Sequence, residues 1–302
     1  MFTAGERSLD VPLGKDRNDV RITLTNAIGE RVETVTLMHA GDGALDKRGT
    51  LFILAIGVDK YPGLGNACGK DGKQPCDLTY SSADARRLVE AIERRLGAGH
   101  TNVIKRILVN GASEPRDLPT AANILDAVGL LRQATETDTV VVSIAGHGIN
   151  DGANYRFLPT NAEWDGPSLR GSTVVPWHAL QEAIETTKGR RILFADTCHS
   201  GGAYNQRLGN AAYHANIIAY TAARFDQEAS ENPTLGHGLF TFAVVEGLDG
   251  KASGSNPRQI TTKDLAEYVI KRVGELAKDL NREQEPQYFK GRDAEDYVLV
   301  EW

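Results

Sequence analysis

Near the start of the chain, apolar and polar side chains alternate in two short stretches. Residues 20–25 (Val-Arg-Ile-Thr-Leu-Thr) and 32–37 (Val-Glu-Thr-Val-Thr-Leu) place an apolar residue at every second position, the period of a strand with one face covered. Residues 26–29 between them read as a turn. Residues 1–48 are therefore expected to form a β-rich extension built on a hairpin, too small to be a stable domain alone. From residue 49 the pattern changes. Residues 51–57 (Leu-Phe-Ile-Leu-Ala-Ile-Gly) are a continuous apolar run ending in glycine, the mark of a strand buried on both faces. After a polar, glycine-rich loop, Ala85, Leu88, Val89, Ile92 and Leu96 recur at helical spacing. A strand over 103–109, a helix over 120–134 with Thr120 as its cap and a third strand over 138–145 follow. A helix over 175–186, strands over 190–196 and 216–221, helices over 237–247 and 261–280, and a last strand over 296–300 complete the pattern. Such alternation predicts an α/β domain over 49–302, a mainly parallel six-stranded sheet with helices on both faces.

Bulk properties narrow the partners. The 302 residues are 41% hydrophobic and 25% charged, ordinary values for a globular chain. No apolar run approaches the roughly 18 residues of a membrane span, and residues 1–17 lack the apolar centre of a signal peptide. A cytoplasmic chain without membrane contact is the expectation. A net charge of −6 argues against nucleic acid as a partner and is compatible with a basic peptide. Of three cysteines, Cys68 and Cys76 lie in a Gly/Lys-rich loop. They read either as two loop thiols or as a pair formed in an oxidising compartment.

The third cysteine carries chemistry. The strand over 138–145 runs into Gly146-His147-Gly148, and the strand over 190–196 into Thr197-Cys198-His199-Ser200-Gly201-Gly202. Ligands of open α/β sheets sit beyond the carboxyl ends of the strands. If these two strands are neighbours, His147 and Cys198 reach the same crevice. A thiolate is a competent nucleophile, and the imidazole can take the thiol proton and later protonate a leaving amine. Glycine beside His147 lets a peptide carbonyl approach the backbone, where the N–H groups of Gly148 and Cys198 can hold an oxyanion. Metal binding is not expected, because Cys198, His199 and one distant histidine complete no zinc site. No cofactor is implied. The scattered acidic residues form no EF-hand loop, so calcium activation leaves no legible signature. His147 and Cys198 are 51 residues apart, close to the spacing of about 50 in caspases.

On these motifs the chain resembles the caspase-like cysteine peptidases, and within them the metacaspases and prokaryotic orthocaspases. Asp196-Thr-Cys198-His199-Ser200-Gly201 is similar to the family's Asp-x-Cys-His-Ser-Gly, and Ser143-Ile-Ala-Gly146-His147-Gly148 to its Ser-Gly-His-Gly element. The segment from His237-Gly-Leu-Phe240-Thr241 to Leu248 resembles the opening of its small-subunit region. The likeness spans about residues 49–300 and leaves the first 48 outside, which look more like the end of an accessory β domain. The resemblance implies a caspase-like sheet, a Cys-His dyad without a third member, and a thioester acyl-enzyme. It also implies an acidic pocket from Asp84, in Ser82-Ala83-Asp84-Ala85, and Asp196, with Asp226 lining the substrate groove. Two carboxylates in one pocket repel unless a cation bridges them, so the implied substrate is a polypeptide with Arg or Lys before the scissile bond.

Other readings stay open on sequence alone. Asp84 by itself fits a helix-start carboxylate facing the dipole, and Asp226 fits a solvated loop. The chain could be a catalytically silent caspase-like scaffold acting by interaction, or a cysteine peptidase of the legumain, gingipain or separase type. The stretch between Cys198 and the fifth strand is short and offers Arg207 as a basic self-cleavage site. The oligomeric state has no signature.

Overall fold

The computed structural model describes residues 16–26, 29–39, 48–66, 68, 74–150, 155–165, 168–197, 210, 212–224, 227, 229–254, 256–292, 294 and 296–302. The chain divides into two compact units, Met1–Arg48 and Gly49–Trp302. In the first, strands β1 (Asp16–Asn26) and β2 (Gly29–His39) pair antiparallel in one unbroken register from Asp16↔His39 to Asn26↔Gly29. Ile22, Val32 and Val35 remain exposed in this hairpin.

The second unit is an α/β domain. Along the chain come β3 (Arg48–Gly57), α1 (Ser81–Leu96), β4 (His100–Val109), α2 (Ala121–Ala127) and β5 (Thr139–Gly146). Then follow β6 (Gly148–Asn150), β7 (Tyr155–Phe157), the short pair β8 (Trp164–Asp165) and β9 (Ser168–Leu169), β10 (Val175–Pro176), α3 (Trp177–Glu185) and β11 (Arg190–Thr197). The rest are β12 (Ile218–Thr221), β13 (Glu231–Asn232), β14 (His237–Gly238), α4 (Leu239–Glu246), β15 (Gln259–Thr261), α5 (Thr262–Asp279), β16 (Gln287–Phe289) and β17 (Val298–Glu301).

The central sheet has six strands in the order β16-β12-β11-β5-β3-β4. Strands β12, β11, β5 and β3 run parallel, and β16 is antiparallel to β12, so the sheet is mixed. Successive side chains of β3 alternate between its faces, as the strand period requires. Phe52, Leu54 and Ile56 join a core with Ile124, Leu131, Leu180 and Ile184. Leu51, Ile53 and Ala55 join another with Leu88, Ile92, Phe240, Val244, Leu265 and Val269. Helices therefore cover both faces, which is why the strand sequences are apolar runs rather than alternating ones. Every residue of β5 is buried.

The amino ends of three central strands meet at one residue, Asp138, which precedes β5. Buried Asp138 accepts from the backbone N–H of Thr50 at 2.5 Å and of Thr135 at 2.6 Å. Its own carbonyl accepts from Arg190 N at 3.0 Å. Pairing then begins level, with Thr139 opposite Leu51 on one side and Arg190 on the other.

Three expectations about elements need correction. The strand expected over 296–300 does exist as β17, but it pairs with β15 outside the central sheet, and the sixth strand is β16. Three residues with polar neighbours carry too little periodicity to announce a strand. The helix expected from His237 begins at Leu239, because His237 and Gly238 pair with β13. Thr120 caps α2 as expected, its hydroxyl accepting from Asn123 N at 3.3 Å, but the α-helix stops at Ala127 and a 3₁₀ segment continues through 128–133.

Candidate active site

Strands β5 and β11 are neighbours, and their parallel register runs from Arg190↔Thr139 to Thr197↔Gly146. The residues that follow this last pair in the sequence are His147 and Cys198. Cys198 lies outside the described residues, as do His199, Ser200, Arg207 and Asp226. Thr197 is fixed from the side: its hydroxyl oxygen accepts from Tyr155 Oη at 2.8 Å in a buried contact.

His147 is held from two directions. Its backbone N–H donates to Tyr61 Oη at 2.8 Å, and the Tyr61 and His147 rings lie 4.9 Å apart. Its Nε2 lies 2.8 Å from the carbonyl oxygen of Cys76. A carbonyl can only accept, so Nε2 carries the ring proton and Nδ1 is the basic nitrogen. Cys76 is buried and joined to Cys68 by a disulfide, with Cα atoms 5.0 Å apart. Of the two readings of this pair, the structure adopts the bonded one, a linkage that persists in oxidising surroundings.

Glycine on either side of His147 has a different use from the one expected. A Cβ at Gly146 would come 2.8 Å from Tyr61 Oη, and the residue sits at φ 147°. A Cβ at Gly148 would run into the Tyr155 hydroxyl. These glycines admit the protein's own tyrosines, which in turn hold His147 and Thr197. The Gly148 N–H is a separate matter from its missing side chain. Gly148 faces Phe157 in the β6–β7 ladder, and Leu158 N donates to His147 O at 2.9 Å. That spacing makes Gly148↔Phe157 the non-hydrogen-bonded kind of pair, so the ladder does not use the Gly148 N–H.

Asp84 and Asp196 converge. Asp84, in the first turn of α1, is almost wholly buried. Its Oδ2 accepts from Gly238 N at 2.9 Å, and its Oδ1 lies 2.7 Å from His237 Nδ1. The carboxylate thus turns toward β14. The start of α1 is served instead by Glu231, which accepts from Tyr80 N at 2.8 Å and Thr79 N at 3.1 Å. Asp59 also contributes there, accepting from Ser82 N at 2.8 Å. Asp196 Oδ2 accepts from Thr241 Oγ1 at 3.3 Å. A Cβ built on Gly238 would lie 2.9 Å from Asp84 Oδ2 and 3.3 Å from Asp196 Oδ2, so both oxygens surround the place where that glycine has no side chain.

Burial raises both carboxyls. Desolvation pushes Asp84 up to about 8, with repulsion from Asp196 adding to it and the Gly238 N–H opposing. Desolvation pushes Asp196 up to about 7, against the Thr241 hydroxyl and with the charge of Glu231. A cation entering between them would favour the ionised form of each. Sequence reading missed Glu231 and His237. Only the tertiary return of the chain brings β13 and β14 to the start of α1, and no local spacing announces that.

Among the described residues, no group of three or more His, Cys, Asp or Glu side chains is disposed to hold a metal ion, and no helix is long and apolar enough to cross a membrane.

No protein-family model and no curated protein matches the chain. Among solved structures it is similar to the crystal structure of protein GSU0716 from Geobacter sulfurreducens, at 17% sequence identity and a TM-score of 0.52, over 84% of this chain and 97% of that one. At that identity the likeness is one of fold, an α/β architecture.

Proposed function

We propose that this chain is a caspase-like cysteine endopeptidase of the metacaspase and orthocaspase kind, cutting after Arg or Lys. The observation that supports the reading most is the parallel register of β5 and β11, with Gly146 opposite Thr197; His147 and Cys198 are the next residues in the sequence. In this reading His147 Nδ1 takes the Cys198 thiol proton, and the thiolate adds to the scissile carbonyl carbon. The N–H groups of Gly148 and Cys198 stabilise the oxyanion. The intermediate collapses as the imidazolium protonates the leaving amine, giving a thioester and a free amino terminus. Water, deprotonated by His147, then hydrolyses the thioester and restores the thiol. Asp84 and Asp196 form the primary pocket, where a guanidinium can engage both carboxylates with charge-assisted hydrogen bonds.

The test is a panel of fluorogenic peptides differing only in the residue before the scissile bond. Arg is expected to be cut fastest, Lys next and Asp not at all, since a third carboxylate would meet two of its own sign. Cleavage after Asp, or indifference to charge at that position, would overturn the pocket. No hydrolysis of any peptide by folded protein would overturn the enzyme reading.

A further inference from the structure

His237 has no part in the mechanism above, yet it touches the pocket's most buried carboxylate. Its Nδ1 lies 2.7 Å from Asp84 Oδ1, and its Nε2 lies 3.1 Å from Arg87 Nη1. An arginine nitrogen only donates, so Nε2 must accept and the single ring proton sits on Nδ1, aimed at Asp84. The ring between these two contacts is a neutral imidazole. Charged groups surround it on several elements: Asp84 and Arg87 on α1, Glu231 on the paired strand β13, and Asp196 on β11 beyond Asp84. Burial and the Arg87 charge both hold the His237 pKa below the ordinary histidine value.

We infer that His237 is a positioning residue of the primary pocket, orienting Asp84 toward the substrate cation as a neutral donor, and that Arg87 keeps it neutral. The inference rests on the peptidase reading for the identity of that cation. Its physical content is a distinction between orienting a carboxylate and neutralising it. A protonated histidine at this place would itself be the cation of Asp84 and would compete with the arriving guanidinium. A neutral Nδ1–H fixes one oxygen, the Gly238 N–H fixes the other, and the charge that Asp84 takes on as a cation enters is left for that cation. Arg87 enforces this because a proton on Nε2 would face a guanidinium N–H with no acceptor between them.

The experiment measures binding apart from catalysis. The full chain carrying Cys198→Ala is titrated with a fluorescein-labelled peptide containing one Arg, and with the same peptide carrying the neutral isostere citrulline. Added His237→Ala is expected to weaken the Arg peptide about tenfold or more, the range for losing a hydrogen bond to a charged group, and to leave the citrulline peptide unchanged. His237→Asn, whose amide reaches the same oxygen, is expected to recover most of that affinity. Arg87→Gln is expected to weaken the Arg peptide below pH 7 and to leave it unaffected at pH 8. With Cys198 present, the loss in His237→Ala should fall on KM rather than kcat. Equal losses for Arg and citrulline peptides, failure of Asn to improve on Ala in folded protein, or an unchanged pH profile in Arg87→Gln would each overturn the inference while leaving the pocket standing. No preference for Arg over citrulline before any change at His237 would overturn the pocket and this inference together.

Discussion

The two halves of the candidate site are held in different ways. On the His147 side the contacts described are neutral: a backbone carbonyl at Nε2 and a tyrosine hydroxyl at the backbone N–H, with the Gly148 N–H outside the β6–β7 ladder. On the Asp84 and Asp196 side the partners are titratable side chains in a desolvated setting, and both carboxyls are driven upward. The contacts of the first half carry no charge. The second holds two carboxyls whose ionisation burial opposes and a nearby cation would favour. Under the proposed function the first half serves turnover and the second selection, so substitutions in the two halves should fail differently.

The largest effect belongs to the dyad. Cys198→Ala and His147→Ala are each expected to lower hydrolysis of an Arg peptide by at least about a thousandfold, with no further loss in the double variant, because residues acting as one unit do not add. Circular dichroism should show an intact fold. Activity within tenfold of the parent in either variant would break the comparison at its first term.

Next come the carboxylates. Losing one partner of a desolvated charge pair costs about 2–5 kcal/mol, so Asp84→Ala or Asp196→Ala should reduce kcat/KM for Arg peptides by roughly 30-fold or more. Gly238→Ala should do the same without removing a charge, since its methyl would stand between the two Oδ2 atoms. A variant of these three that lost kcat with KM unchanged would erase the distinction between the halves.

Acidity sharpens the contrast. Binding a cation requires ionised carboxyls, so kcat/KM for an Arg peptide should climb as pH rises through about 7 to 8. Stability should move the other way. A carboxyl raised in the folded state contributes stability that is full below its unfolded value near 4, and that is lost as pH rises through its folded value. Asp196→Asn should then unfold later than the parent at pH 8, by on the order of 1–3 kcal/mol, and gain nothing at pH 4. Chemical denaturation at the two pH values reads this directly.

The smallest expected effect is on the neutral half. Replacing Cys68 and Cys76 together by serine removes a short covalent loop, which should lower stability by about 2–3 kcal/mol. It should also lower kcat by about tenfold through looser placement of His147, with KM for Arg peptides little changed. A shift confined to KM would assign the disulfide to substrate contact instead.

Much of this was legible in sequence because it depends on local pattern. The buried strands announce themselves as apolar runs, α1 by the spacing of Leu88, Ile92 and Leu96, and the neighbouring strands before His147 and Cys198 by runs that end in polar residues. What was not legible depends on residues far apart in the chain. Glu231 serves the start of α1 from 151 residues away, His237 reaches Asp84 from 153 residues away, and Tyr155 reaches Thr197 across 42. The meaning of Gly146 and Gly148 also lay beyond sequence, because the side chains they make room for are supplied by Tyr61 and Tyr155. Asp84 was assigned a pocket role only by resemblance; the structure shows its carboxylate beside His237, Gly238 and Asp196.

Asp138 ties the starts of three strands, since its carboxylate accepts from Thr50 N in β3, its carbonyl accepts from Arg190 N in β11, and β5 begins at the next residue. From there β5 and β11 pair in one register over eight residues. The two strands act as matched rulers. An insertion or deletion of one residue in either would swing every later side chain to the opposite face of the sheet, carrying the reactive end away from its neighbour. Within the two rulers a side chain can thus be exchanged for another of like size and polarity more readily than the residue count can change.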